Sequence, residues 1–180
     1  NVLMEFEYKG LERILEYLEI SDLNDMQKAC ITACRTHPNV QLLSPTGSGK
    51  TLAFLLSLLE RLDAGNTATT QAMIIVPSRE LAQQIDQVFR SLRTGLKLTL
   101  CYGGHKREIE ENNLIQPPAV IIGTPGRLGD HIRRNNITTA SIHTLILDEF
   151  DKTLEAGFQE EVQFITDSLT AVQQRILTSA

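Results

Sequence analysis

The first glycine-rich turn of the chain reads Ser44-Pro45-Thr46-Gly47-Ser48-Gly49-Lys50-Thr51. An apolar run (Val40, Leu42, Leu43) precedes it, and a second (Leu52, Ala53, Phe54, Leu55, Leu56) follows it. That succession is strand, tight turn, helix. Such a turn converges backbone N–H groups and the positive end of a helix dipole on one point, which makes an anion site. In the pattern G-x-x-x-x-G-K-[ST], the lysine reaches the β- and γ-phosphates and the hydroxyl holds Mg2+. Lys50 and Thr51 occupy those two positions, while Ser44 stands where the generic pattern has glycine. The Gly-Ser-Gly-Lys-Thr core and its strand–helix setting outweigh that mismatch. The turn is therefore read as a binding loop for a nucleoside triphosphate.

A length of 180 residues suits one domain with a single sizeable core. With 42% hydrophobic and 22% charged residues, the composition is that of an ordinary globular domain. No apolar run approaches the ~20 residues of a membrane span. The start, Asn1-Val2-Leu3-Met4-Glu5, lacks the basic residues and apolar core of a signal peptide. A cytoplasmic monomer without membrane contact is expected. Three cysteines, Cys30, Cys34 and Cys101, cannot all pair, and no histidine falls at ligand spacing beside the first two. They read as small core residues. Asn136-Ile137-Thr138 fits a glycosylation sequon, read as chance in a chain without a secretory signal. The net charge of −5 gives nucleic-acid binding no bulk support, so local groups would have to supply it.

Short apolar runs at 40–44, 72–77, 98–102, 119–123, 144–147 and 175–178 read as strands. Most are continuously apolar, the pattern of strands buried on both faces of a parallel sheet. Helical patterns lie between them. The clearest is 79–93, with Leu81, Ile85, Val88 and Leu92 on one stripe. Others are 52–62 and 158–169, the latter burying Phe158, Val162, Ile165 and Leu169, with weaker ones at 11–18, 26–35, 106–114 and 127–134. Residues 63–70 form a polar loop, and Gln116-Pro117-Pro118 is a stop before a strand. The alternation predicts an α/β domain, a mostly parallel sheet with helices on both faces. In such sheets ligands bind beyond the carboxyl ends of the strands. The chemically loaded residues sit there.

The run Leu145-Ile146-Leu147 ends in Asp148-Glu149. Mg2+ prefers an octahedral oxygen shell with one or two carboxylates, and Asp148 suits that role. Glu149, pointing differently, can orient or deprotonate an attacking water. An exposed acidic turn is the bland alternative, weakened by the phosphate loop in the same chain.

With these residues together, the chain resembles the N-terminal RecA-like domain of a DEAD-box ATP-dependent RNA helicase over essentially its whole length. Residues 44–51 are similar to motif I, and Pro77-Ser78-Arg79-Glu80-Leu81-Ala82 to motif Ia, with Ser78 where Thr is usual. Gly103-Gly104 resembles the GG element, and Thr124-Pro125-Gly126-Arg127 motif Ib. Asp148-Glu149-Phe150-Asp151 stands at motif II, and Ser179-Ala180 resembles the start of motif III. The resemblance implies a RecA-like P-loop fold with ATP and Mg2+ as cofactors. It places Ser44, Pro45, Thr46, Gly47, Ser48, Gly49 and Lys50 on the phosphates, Thr51 and Asp148 on Mg2+, and Glu149 as the base. Ser78, Arg79, Gly104, Thr124, Gly126 and Arg127 would touch RNA backbone, contacts that carry no base information. Asp151 would couple to Ser179 and relay nucleotide state. Lys106, Arg107, Arg133 and Arg134 extend the basic strip or, as the simpler reading has it, form a solvated face.

The departure is largest upstream, in residues 1–36, a helical segment with the remnant of an adenine-reading motif. In the segment from Ile20 to Gln27, Gln27 is retained, and its amide can bond both edges of adenine. Ile20 replaces an aromatic residue, Leu23 a proline and Asn24 a threonine. Asn24 equally suits a helix N-cap. Phe6 is the isolated upstream aromatic, at short spacing to Gln27. The resemblance further implies a second RecA-like domain, absent from these 180 residues, that supplies arginines to the γ-phosphate and half of the RNA track. A nucleotide-binding scaffold without turnover and a DNA-directed helicase are the competing readings.

Overall fold

The computed structural model describes residues 10–180. Phe6 and the rest of 1–9 lie outside the described residues. In chain order the elements are α1 (Leu11–Tyr17), α2 (Asp25–Thr36), β1 (Asn39–Leu43), α3 (Lys50–Leu59), β2 (Ala72–Ile75), α4 (Arg79–Ser91) and β3 (Leu98–Cys101). There follow α5 (Arg107–Ile115), β4 (Val120–Gly123), α6 (Pro125–Arg133), a 3-10 turn (Thr139–Ser141), β5 (Thr144–Leu147), α7 (Phe150–Glu155), α8 (Gln159–Ser168) and β6 (Gln174–Ser179).

The six strands form one sheet in the order β1-β6-β5-β2-β4-β3. Every pairing is parallel, with Leu43 opposite Ser179, Leu147 opposite Leu177, Ile75 opposite both Leu147 and Gly123, and Cys101 opposite Gly123. All carboxyl ends therefore meet one edge. The strand order divides that edge. The ends of β1, β6 and β5 are contiguous, and so are those of β2, β4 and β3.

Central strands β2, β4 and β5 are buried at every position, which is why their sequences are apolar without alternation. Successive side chains go to opposite faces. Ile74, Val120, Ile122, Ile146 and Ile176 join one core with residues of α1, α2, α3 and α4. Met73, Ile75, Ile121, Leu145 and Leu147 join the other, with Leu128 of α6 and Val162 and Ile165 of α8. Helix α3 buries eight of its ten residues, Phe54, Leu55, Leu56, Leu58 and Leu59 among them. Each such side chain contributes about 1.5–3 kcal/mol by leaving water, so α3 anchors the phosphate loop that precedes it to the core.

The helical stripe expected at 79–93 is rotated slightly in α4. Ala82, Ile85, Phe89 and Leu92 are buried, while Leu81 and Val88 are half-buried. Helix α7 is an addition to the sequence-based expectation. It is a six-residue helix set off by Glu149 in the left-handed region (φ 50, ψ 50) and has no apolar stripe to announce it.

Candidate functional site

The phosphate loop joins β1 to α3. Gly47 and Gly49 have φ of +83 and +87, conformations that other residues rarely adopt. At Gly49 a Cβ would also lie 2.6 Å from Nε2 of Gln27. The loop is tied from β6, from α2 and within itself. The Ser44 amide donates to the Ser179 carbonyl at 3.1 Å. The Ser44 hydroxyl donates to that of Ser48. From α2, Asn24 Nδ2 donates to the Ser48 carbonyl at 3.0 Å and Gln27 Nε2 to the Gly49 carbonyl at 3.1 Å.

The same two residues close a capping box at the start of α2. Gln27 N donates to Asn24 Oδ1 and Asn24 N to Gln27 Oε1, both at 2.9 Å. Both ends of the Gln27 amide are thus engaged within the chain, and the residue is buried. The sequence signal for this was present, since Asn24 and Gln27 stand at N-cap and N3 spacing.

At the neighbouring strand ends, Lys50 Nζ and Asp148 Oδ2 are buried without a hydrogen-bond partner. The other oxygen of Asp148 accepts from the Thr178 hydroxyl, which in turn accepts from the Glu149 amide at 3.0 Å. Burial pushes the Asp148 carboxyl above the usual carboxylate range, against the pull of Thr178 and Lys50. Thr178 is a site residue that the motif reading passed over. Its signal lay in the period of β6, since pairing Leu147 with Leu177 sets the next residue beside Asp148. Oε2 of Glu149 lies 3.1 Å from Lys152 Nζ. Asp151 Oδ1 is buried and unpartnered. Among the described residues no hydrogen bond joins it to Ser179. Thr178 links β6 to Asp148 and Glu149.

The ends of β2, β4 and β3 hold the second group. Ser78 caps α4, accepting from the Leu81 amide at 3.2 Å. The Arg79 side chain is 52% exposed. A Cβ at Gly104, φ +86, would lie 3.4 Å from Arg79 Nη1, so two strand ends bring these groups together. Thr124 is the N-cap of α6, and Gly126 is exposed on its first turn.

Arg127 is 17% exposed and turns inward. Its Nη1 donates to the His105 carbonyl at 3.0 Å and to Glu110 Oε1 at 3.1 Å. Glu110 is fully buried. Its Oε1 also receives His131 Nε2 at 2.8 Å, and its Oε2 receives His105 Nδ1 at 2.9 Å and the Tyr102 amide at 3.1 Å. Asn136 Nδ2 donates to His131 Nδ1 at 3.0 Å, which leaves the His131 proton on Nε2, facing Glu110. Burial pushes the Glu110 carboxyl up, but His131, His105, the Tyr102 amide and Arg127 outweigh it and hold it below its ordinary value. Nothing in the run Arg107-Glu108-Ile109-Glu110-Glu111 marks one acid as buried.

A family model described as "DEAD/DEAH box helicase" matches residues 24–180. The chain belongs to the DEAD/DEAH box helicase family. It is similar to the ATP-dependent RNA helicase DeaD of Escherichia coli K12, 34% identical over 99% of this chain and 30% of that protein. It is 36% identical to eukaryotic initiation factor 4A of Caenorhabditis elegans, over 86% of this chain and 39% of that one. A crystal structure of a DEAD box protein from the hyperthermophile Methanococcus jannaschii superposes with a TM-score of 0.88 at 29% identity. That match covers 96% of this chain and 47% of the other. The chain thus spans less than half the length of each of these relatives, and the fold is that of a DEAD-box RecA-like domain.

In this DEAD/DEAH box domain, Phe150 packs against the core on the α6–α8 side, leaving the neighbouring acids in place. Arg107 faces Glu111 and Asp130, Arg133 faces Glu161, and Arg134 faces Asp130. These basic side chains form a solvated, acid-paired face. All three cysteines are free and buried. A hydrogen bond with Cys30 and burial push the Cys34 thiol up, and burial does the same to Cys101. Ligand atoms of Cys101, Glu110 and His131 lie within 4.8 Å of one another, but the four bonds to Glu110 satisfy that group from within. Among the described residues no helix is long and apolar enough to cross a membrane.

Proposed function

We propose that this domain binds ATP with Mg2+ at the β1, β6 and β5 ends and RNA backbone at the β2, β4 and β3 ends. Together with a second RecA-like domain it hydrolyses ATP to remodel or unwind RNA. The observation that carries the reading is the pair of buried, unpartnered polar atoms, Lys50 Nζ and Asp148 Oδ2. A buried ammonium and a buried carboxylate oxygen each need a partner. A polyphosphate fits the first, and a divalent cation fits the second.

In this reading the amides of residues 44–51 and the Lys50 ammonium hold the phosphates. Thr51 and Asp148 would hold Mg2+, which when bound neutralises charge on the phosphate oxygens. Glu149 takes the proton of the attacking water. For Gln27 to read adenine, its Nε2 must first leave the Gly49 carbonyl. Ser78, Arg79, Gly104, Thr124, Gly126 and Arg127 serve backbone phosphates, and Asp151 with Ser179 relays nucleotide state. The names of the relatives support RNA as the partner. A cytoplasmic monomer is the form we assign.

The test is ATP turnover by a protein containing this domain and its second RecA-like domain, with RNA and with DNA at one salt concentration. Replacing a positioned acid–base group typically costs 10²–10⁴-fold, so Glu149→Gln should lower turnover by about 100-fold or more while ATP still binds. Unchanged turnover in that variant rules out the base assignment. Equal stimulation by DNA rules out RNA as the preferred partner.

A further inference from the structure

We infer that Glu110 is a positioning residue for backbone-phosphate recognition, acting through Arg127 and the turn at Tyr102–His105. The inference rests on the RNA half of the proposed function. Four groups meet on this one carboxylate: the Tyr102 amide from the end of β3, His105 from the turn before α5, and Arg127 and His131 from α6. The turn is the one that carries Gly104. Helix α6 is the one whose exposed first turn carries Gly126.

The guanidinium of Arg127 is divided by this arrangement. Nη1 is anchored to Glu110 and to the His105 carbonyl. Among the described residues, neither Nε nor Nη2 has a hydrogen-bond partner. A guanidinium held by one nitrogen presents a fixed pair of donors with the others, the fork that suits a phosphate. Glu110 thereby lowers the freedom that Arg127 would lose on binding, which is preorganisation. Its own charge is matched inside the fold by Arg127 and by hydrogen bonds, so it adds no exposed repulsion toward a polyanion.

The second strand-end group shares the device. The Gly104 turn approaches Arg79 Nη1, and Glu110 fixes that turn through the Tyr102 amide and the His105 imidazole. One buried acid therefore sets the spacing between groups assigned to the RNA backbone. None of this involves the Lys50–Asp148 half of the edge.

The experiment is a titration of the 180-residue chain with a single-stranded RNA oligonucleotide, followed by NMR, over a series of salt concentrations. Wild type, Glu110→Ala, Arg127→Ala, the double variant and Glu110→Gln are compared, with unfolding midpoints measured alongside. A lost phosphate contact lowers affinity by about tenfold and the salt slope by about one. Glu110→Ala should show both, and the double variant should lose less than the sum of the two single losses, because Glu110 and Arg127 share one part of the recognition. Glu110→Gln keeps the Oε1 acceptor for Arg127 but loses the Oε2 acceptor for the Tyr102 amide, so it should lose less than Glu110→Ala. It also serves if Glu110→Ala does not fold. Additive losses with an unchanged slope, or tighter binding once Glu110 is removed, overturn the inference. So does a folded Glu110→Gln that loses as much as Arg127→Ala. A wild-type chain whose spectrum is unmoved by RNA overturns the RNA half of the proposed function, and this inference with it.

Discussion

At the scale of single residues, the site is built from groups that the fold leaves unsatisfied. Asp148 is the sharpest case. Its carboxyl is buried, Oδ2 has no partner, and its pKa is raised above the ordinary 3.8 chiefly by burial. The sign follows directly. An acid whose folded pKa lies above its unfolded value binds more protons in the folded state, so stability falls as pH rises from the ordinary carboxylate range through the folded pKa. Above that window the cost is complete, and neutral pH lies on its costly side. Asp148→Asn removes the charge and keeps an acceptor for the Thr178 hydroxyl. It should raise stability of the Mg2+-free domain at pH 7 by about 1 kcal/mol, as relief of a strained functional site commonly does, and abolish ATP hydrolysis. The gain should shrink as pH is lowered. Thermal unfolding of both proteins across pH measures this, and a lower midpoint for the variant at pH 7 would contradict it. Asp148 and Lys50 were legible from motif spacing. Glu110 and Thr178 were not, because burial of one acid among several, or of one hydroxyl in a strand, depends on which elements pack over it.

At the scale of elements, the central strands were legible because burial on both faces leaves no polar position to blur the pattern. Helix α7 was not, since its start is fixed by a left-handed Glu149 rather than by any stripe. The N-terminus of α2 shows a residue with two readings. Gln27 fits an adenine reader by motif and a capping-box partner by spacing, and in this structure it occupies the second role. The box also reaches outward, since Asn24 and Gln27 hold the carbonyls of Ser48 and Gly49. Helix cap and phosphate loop are therefore one mechanical unit. Asn24→Ala should cost about 1 kcal/mol, the usual worth of an N-cap, and should change the affinity for an ATP analogue, because the Ser48 carbonyl loses its donor. Urea unfolding and a binding titration on the same two proteins measure both. Loss of stability with unaltered analogue binding would show that cap and loop act separately.

At the scale of the whole molecule, the strand order matters more than any motif. The sequence puts each motif at a strand end but does not say which ends are neighbours, since that order depends on crossovers between distant segments. The order β1-β6-β5-β2-β4-β3 gathers the loop, Thr178 and the acids on one side, and Arg79, Gly104 and Arg127 on the other. Both halves lie on a single edge of a single sheet. In the proposed function, work on RNA would require the two halves to change their relation when nucleotide state changes. A sheet whose strands are paired in continuous register offers no hinge between β5 and β2. In that proposal, closure would come from a partner body over that edge, the second RecA-like domain. Residues 1–180 on their own should accordingly bind nucleotide, show little RNA-stimulated ATP hydrolysis and separate no duplex. Supplying the second domain on the same chain should restore both activities. The measurement is strand release from a short labelled RNA duplex, with phosphate production followed in the same reaction. Robust strand release by the 180-residue chain would show that one sheet edge suffices and that the two halves move within it.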